Sequence, residues 1–218
     1  MKLFSRIGFS FILLVTAAVL PVFAATAFLE NYAQMRPGKY LDKCYFDTQA
    51  LREKSYLTLA VKDIDVCQIK DSWGLKSEDA ASYLKRELQE AARQLRIERF
   101  FVFETSDHAQ AALEMAITRQ GSGSPMGRLF GSVLGMGQAY FRIEGRIRDL
   151  QSNRIIASFS HATASKAVWP LRDFAQDGGM VMLKEMYGNI SNEIMREIGD
   201  SFGYIPEIYR DGQPFKYS

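Results

Sequence analysis

The sequence predicts an α+β fold, a two-layer sandwich in which two helices cover one face of a mostly antiparallel sheet, in the order β-α-β-β-β-β-α. Three observations predict it. Residues 139–159 alternate apolar and polar side chains on both sides of a turn, and two other segments repeat apolar residues at helical spacing. The composition, 47% hydrophobic and 24% charged over 218 residues, suits one folded domain with extensions. The expected division is an export signal over 1–24, an N-terminal extension over 25–55, the α+β domain over 56–200 and a C-terminal tail over 201–218.

At the N-terminus, Lys2 and Arg6 precede an uncharged run from Ile7 to Leu29 that contains FILLVTAAVL and ends in small residues. A basic region, an apolar stretch and a small-residue cleavage site are the order of a secretory signal, with Val22-Phe23-Ala24 or Ala25-Thr26-Ala27 supplying the site. The alternative is an uncleaved inner-membrane anchor, because a run of this length, rising about 1.5 Å per residue, can span a bilayer core of about 30 Å. Pro21 and the alanines after it argue for cleavage. Ala25 or Phe28 follows each candidate site, so no cysteine is placed there for lipid attachment. Removing residues 1–24 takes two of the 27 basic side chains and leaves 25 against 25 acidic ones. A near-neutral chain excludes a strongly basic nucleic-acid-binding domain, and no nucleic-acid partner is expected.

The extension from Phe28 to Lys54 lacks sustained periodicity and is expected to hold one short strand around Tyr40 to Phe46. The first strand of the domain falls in Tyr56 to Val66, where Leu57, Leu59 and Val61 alternate with polar or small residues. The apolar parity then shifts to Ile64 and Val66, which predicts a bulge near Lys62 or Asp63, or the end of the strand. Ser77 is the expected N-cap of a helix with Glu78 and Asp79 in its first turn. Leu84, Leu88, Ala91, Ala92 and Leu95 make its apolar face. Arg99 to Glu104, apolar on both faces, predicts a short central strand, and Ala111 to Thr118 another with Leu113, Met115 and Ile117 on one side.

Gly121 to Gly137 holds six glycines and a proline and reads as a long connection. In the strand that follows, Phe141, Ile143, Gly145 and Ile147 predict a core face, and Arg142, Glu144, Arg146 and Arg148 a wet one. Asp149 to Asn153 supplies the turn, with Asn153 suited to a left-handed backbone, before Ile155, Ala157 and Phe159 resume the alternation. From about Asp177 to Ile198 a second helix carries Leu183, Met186, Tyr187, Ile190, Ile194 and Ile198 on one stripe, with Gly199 placed to end it. The tail beyond it, rich in aromatic residues, is expected to lie over the domain.

Two cysteines, Cys44 and Cys67, leave three readings open. In an oxidising compartment they can pair, and closing the intervening loop would stabilise the fold by about 3 kcal/mol. They can stay unpaired, or join His108 and His161 around a zinc ion, although none of those spacings forms a short ligand pair. Other reactive constellations are sparse. His161 reads as a structural histidine in the second hairpin strand, His108 as a solvated turn residue, and Asp63 with Asp65 as a solvated strand end. No catalytic residue, cofactor or metal is assigned. The glycine-rich segment lacks the Gly-Lys-Ser/Thr of a P-loop and precedes a strand. Its Leu129, Phe130, Val133, Leu134 and Met136 form an apolar contact surface if not folded back. Arg142, Arg146 and Arg148 share one strand face and can grip an anionic group, or simply be solvated.

Arg128-Leu129-Phe130-Gly131, then Gly135-Met136-Gly137-Gln138-Ala139, then the alternating strand ending in Arg148-Asp149 and the turn before Ile155-Ile156-Ala157 form a pattern. Together they resemble domain-of-unknown-function family 4410, exported bacterial proteins with a lipoprotein or secretory signal. The motifs span roughly residues 55–200. Asn153 stands where the family typically has glycine, a change that a left-handed turn accepts. The resemblance implies an envelope location and a small α+β domain, more distantly similar to periplasmic modules of the curli-secretion lipoprotein and of TolB. It brings no catalytic residues.

The expectation for function is therefore a non-enzymatic periplasmic protein that binds or helps assemble another envelope component. The expected partner is an envelope protein or membrane component, met through Leu129, Phe130, Val133, Leu134, Arg142, Arg146 and Arg148. The alternatives are a hydrolase using Asp63, Asp65 or His161, and a lipid or small-molecule carrier with a pocket between sheet and helices.

Overall fold

The computed structural model describes residues 28–66, 77–103, 108–121, 140–164 and 178–205. Within them lie β1 (Lys43–Phe46), α1 (Thr48–Glu53), β2 (Leu59–Val61), α2 (Ser77–Gln94), β3 (Phe101–Val102), β4 (Ala111–Gly121), β5 (Tyr140–Asp149), β6 (Ile155–Ala164) and α3 (Gly178–Ser201). Residues 1–27, Cys67, most of the glycine-rich segment and the tail beyond Ile205 lie outside the described residues.

One six-stranded sheet has the order β1-β6-β5-β4-β2-β3. β4, β5 and β6 run antiparallel, β1 pairs antiparallel with β6, and β2 lies parallel to both β3 and β4. The fold class is the expected α+β sandwich, with a mixed sheet. The strand expected near Tyr40 to Phe46 is β1, and it belongs to the sheet as an edge strand. α1 was not expected. It is a short helix capped by Asp47, whose Oδ1 accepts from the Ala50 amide at 3.0 Å.

The core lies between the sheet and the helices α2 and α3. Leu113, Met115 and Ile117 of β4, Ile143 and Ile147 of β5, and Phe159 of β6 meet Leu84 and Leu88 of α2 and Tyr187, Ile190 and Ile194 of α3, all essentially inaccessible to water. These are the residues that the two periodicities single out. Gly145 sits in the middle of this face because the ring of its cross-strand partner Phe159 lies over it; a Cβ there would meet that ring. At the hairpin turn Asn153 adopts φ 58, the left-handed conformation expected of it.

Three details depart from the sequence reading. β3 is a two-residue edge strand rather than a central one. Its flanking aromatics gain burial through other rings: Phe100 stacks on Tyr204 with centroids 4.0 Å apart, and Phe101 packs against Phe103. Gly199 does not end α3. Gly203, at φ +71, does so, with its amide donating to the Asp200 carbonyl and the Tyr204 amide donating to that of Gly199, the paired bonds of a Schellman motif. Gly199 is small because Ile205 folds back onto it.

The outer sheet face is also not simply wet. Ala60, Ala112, Ala116, Ser158 and Ser160 on that face are buried, and so is Leu29 in the segment that precedes β1. Small side chains there let a covering chain approach the sheet closely. Tyr56, Phe202 and Tyr204 close the end of the sandwich: Phe202 contacts Phe46 and Tyr56 edge-on, and the Tyr204 hydroxyl donates to the Tyr56 carbonyl.

Replacing Gly145 by alanine is expected to destabilise the domain by about 1–3 kcal/mol through overpacking against Phe159. A lower urea midpoint with an unchanged m-value would show this. The double variant Gly145→Ala/Phe159→Leu should recover part of the loss.

Candidate functional site

The outer face of β5 carries the arginines that the alternation exposes, and the register decides what each of them meets. Arg146 pairs with Glu114 across β4 and Ser158 across β6. Its Nε donates to Glu114 Oε2 at 2.6 Å, its Nη1 donates to the Phe28 carbonyl at 3.2 Å, and its guanidinium lies 4.9 Å from the Phe28 ring centroid. Arg148 Nε donates to Glu114 Oε1 at 3.4 Å, and its Nη1 donates to the Asn153 carbonyl at 3.1 Å. Both arginines are largely engaged in holding β4, the hairpin turn and the segment at Phe28. They do not project freely as an anion clamp.

Arg142 is different. Its side chain is 47% exposed, with Nη2 at 3.5 Å from the buried Glu144 carboxylate and 3.4 Å from Ser160 Oγ. A register shift between Ile117 and Arg119 places Arg119 directly opposite Arg142 on the same face. Arg119 is exposed and stacks 4.7 Å from the Tyr140 ring centroid. Two exposed like charges across a strand pair cost stability locally, so a counter-ion or partner is favoured there. Sequence reasoning missed Arg119 because the shift at Thr118 reverses the parity of β4, and strict alternation would put residue 119 in the core. Gly121 and Tyr140 are paired, so the chain over 122–139 leaves and re-enters the sheet at one point, beside these arginines. Leu129, Phe130, Val133 and Leu134 fall in that stretch, outside the described residues.

Glu144 also serves the covering segment. The Tyr32 hydroxyl is hydrogen-bonded to it, and burial, followed by that carboxylate, pushes the Tyr32 pKa well above its ordinary value. The short 3-10 turn Tyr32–Gln34 is thereby held on the sheet.

On the helix side, Glu197 of α3 is the centre of a second cluster. Its carboxylate accepts from the amides of Lys39 at 3.3 Å, Tyr40 at 2.6 Å and Leu41 at 3.3 Å, a nest of three consecutive donors around one buried charge. Cys44 carries a free thiol that donates to Glu197 Oε1 at 3.8 Å. Burial, then the Glu197 charge, pushes the thiol up to about 11, far from the thiolate a nucleophile needs. Lys39 Nζ adds a bond of 2.9 Å to Asp200.

His161 stands on the core face of β6 between two carboxylates. Nε2 is 2.8 Å from Glu193 Oε2 of α3, and Nδ1 is 3.4 Å from Asp42 Oδ2. Burial disfavours the charged ring, but Glu193 and then Asp42 outweigh it and hold the pKa above 6.5. The ring joins β6, α3 and the chain before β1, which is the structural role its position suggests. Of the four residues of the zinc reading, His108 lies ahead of β4, Cys44 and His161 lie on β1 and β6, and Cys67 falls outside the described residues. Among the described residues, no group of three or more His, Cys, Asp or Glu side chains could hold a metal ion.

The hydrolase alternative fares no better in geometry. Asp63 is fully exposed beside Lys85 at 3.5 Å, and Asp65 bridges to Ala116 in an isolated parallel pair, while His161 is on the other side of β4 and β5. The structure brings none of the three together. Asp149, read in the sequence only as a turn residue, is heavily bound: Lys54 Nζ donates at 2.6 Å, the Tyr56 hydroxyl at 2.8 Å and the Ser152 amide at 2.7 Å. Burial acts to raise its pKa, yet these donors hold it well below the usual carboxylate range. It fastens the hairpin turn to the chain after α1.

No family model matches the chain, and no curated protein matches it either. Among solved structures, it is similar to protein XCC0632 from Xanthomonas campestris, described with the family model DUF330. There the identity is 9%, the coverage 68% of this chain and 86% of that one, and the TM-score 0.44. The PelC dodecamer from Paraburkholderia phytofirmans gives 14% identity, coverage of 60% and 89%, and a TM-score of 0.39. A minor lipoprotein from Acinetobacter baumannii gives 12%, coverage of 69% and 97%, and a TM-score of 0.32. No helix among the described residues is long and apolar enough to cross a membrane.

Glu197→Ala strands three backbone donors and is expected to cost about 2–3 kcal/mol, with faster alkylation of Cys44 as its local signature. For His161, the raised folded pKa means that its stabilisation is complete below pH 6.5 and fades as pH rises through the folded value. His161→Gln should therefore lose about 2 kcal/mol in mildly acidic buffer and progressively less toward alkaline pH. Urea unfolding across that range checks the sign; a loss that grows with pH contradicts it.

Proposed function

We propose that the chain is an exported, non-enzymatic protein of the bacterial envelope that binds or helps assemble another envelope component. The observation that carries this reading is the N-terminal order of Lys2 and Arg6, an uncharged apolar run and small residues at Ala24 and Ala27, the form of a cleavable secretory signal. The resemblance of residues 128–157 to family 4410 supports the same compartment. The polar clusters support a binding role, since Glu114, Asp149, His161 and Glu197 each tie segments of the chain together and leave the reactive alternatives dispersed.

The contact surface in this reading is the open end of the β4–β5 hairpin, where Arg119 and Arg142 flank the root of the glycine-rich segment that carries Phe130. A partner there is an envelope protein or membrane component presenting negative charge beside apolar surface.

Fractionation of cells producing the full chain, with N-terminal sequencing of the product, is expected to give a periplasmic protein beginning at Ala25 or Phe28. A photo-crosslinker at position 130 should then capture an envelope component in intact cells, and Arg119→Glu/Arg142→Glu should abolish the adduct while the fold is retained by circular dichroism. An untrimmed chain recovered from the cytosol overturns the reading, as does capture that survives charge reversal.

A further inference from the structure

A cleft of about 670 Å³ runs between the exposed side of α2 and the free edge of the sheet at β3, far from the hairpin end. One wall is a stripe of α2 carrying Lys85, Arg86 and Arg93, and the floor is Phe101, Val102 and Phe103. Glu98 is the single acid on its lining.

The cations of this wall have carboxylate neighbours: Asp63 3.5 Å from Lys85, Glu87 3.3 Å from Arg86 and Glu90 3.0 Å from Arg93. Those pairs are solvent-exposed, with Arg86 65% and Arg93 62% accessible, so their bonds exchange with a better anion at little cost. β3 pairs with β2 on one side, and among the described residues no strand covers its other side. An unpaired strand edge is a template for an incoming extended chain.

The two elements also match in spacing. From Lys85 or Arg86 to Arg93 the helix advances about 11–12 Å at about 1.5 Å per residue. Residues i and i+4 of an extended strand, which share a face, are about 13 Å apart. A strand laid on β3 therefore points every second side chain toward α2, with acids four residues apart reaching the two ends of the basic stripe.

We propose that this cleft receives an extended acidic peptide segment of a partner protein, paired along the free edge of β3 with its carboxylates facing Lys85, Arg86 and Arg93 and its alternate, apolar side chains on the opposite face of the sheet beside Val102. The proposal concerns a surface separate from the hairpin end and does not depend on where the protein resides.

The test uses the purified protein and a fluorescent, end-blocked heptapeptide of alternating Glu and Val, followed by anisotropy. Saturable binding is expected, weakening with added salt as charge pairing requires. It should weaken about tenfold or more in Arg86→Glu/Arg93→Glu, whose exposed positions leave the fold intact by circular dichroism. Two peptide controls need no protein variant: exchanging Glu for Lys should abolish binding, and N-methylation of alternate amides should weaken it about tenfold by removing strand donors. The proposal is overturned if the Glu/Val peptide fails to bind at millimolar concentration, if the charge-reversed protein binds it equally, or if the N-methylated peptide binds as tightly. This last result would mean that the cleft takes anions without strand pairing.

Discussion

A single buried carboxylate, that of Glu197, fastens the beginning of the domain to its end. A charge in that position is tolerable because three consecutive amides and a thiol surround it, so its desolvation is met by donors fixed in the backbone. With residues 39–41 gripped by α3, β1 is delivered to the edge of β6 in register, Asp42 reaches His161, and the chain before it is led back across the outer face of the sheet. β1 has only four residues and one strand partner, too little to hold an edge strand by backbone pairing alone.

The same logic recurs at the other joints. Asp149 binds the hairpin turn to Lys54 and Tyr56, Glu114 gathers Arg146 and Arg148, and Glu144 receives Tyr32. Each is a carboxylate placed where two segments meet, and Asp149 draws donors from both. Charge in this protein is spent mainly on internal connection. The cations left facing solvent include the crossed arginines at the hairpin end and the basic stripe of α2 beside β3, whose ion pairs are exposed.

The β5–β6 hairpin, α2 and α3 were legible because a periodicity of two or 3.6 residues directly records which side faces the core. Asn153 was legible for the same kind of reason, since its left-handed turn is a local demand. Contacts between distant segments left weaker marks. The short strand around Tyr40 to Phe46 was legible, but nothing in 25–55 signals that it joins the sheet as an edge or that the chain before it forms a covering strap, because its buried residues, such as Leu29, Leu41 and Cys44, are spaced by tertiary contact and not by a repeat. β3 looked central because its apolar residues serve aromatic stacking as well as strand packing. Gly199 looked like a stop because a glycine chosen for close packing with Ile205 is indistinguishable in sequence from one chosen for its backbone. Arg119 was hidden by a one-residue irregularity that no alternation rule anticipates.

The placement of β1 has a consequence for how the molecule assembles. Its hydrogen-bonding partner, residues 157–160 of β6, comes more than a hundred positions later in the chain, and Glu197 later still. A polypeptide emerging from its amino end must therefore keep this first strand waiting, bridged only to Arg36 and without β6, while the hairpin and the last helix are made. Closure of the domain by β1 waits until β6 and the last helix have been made.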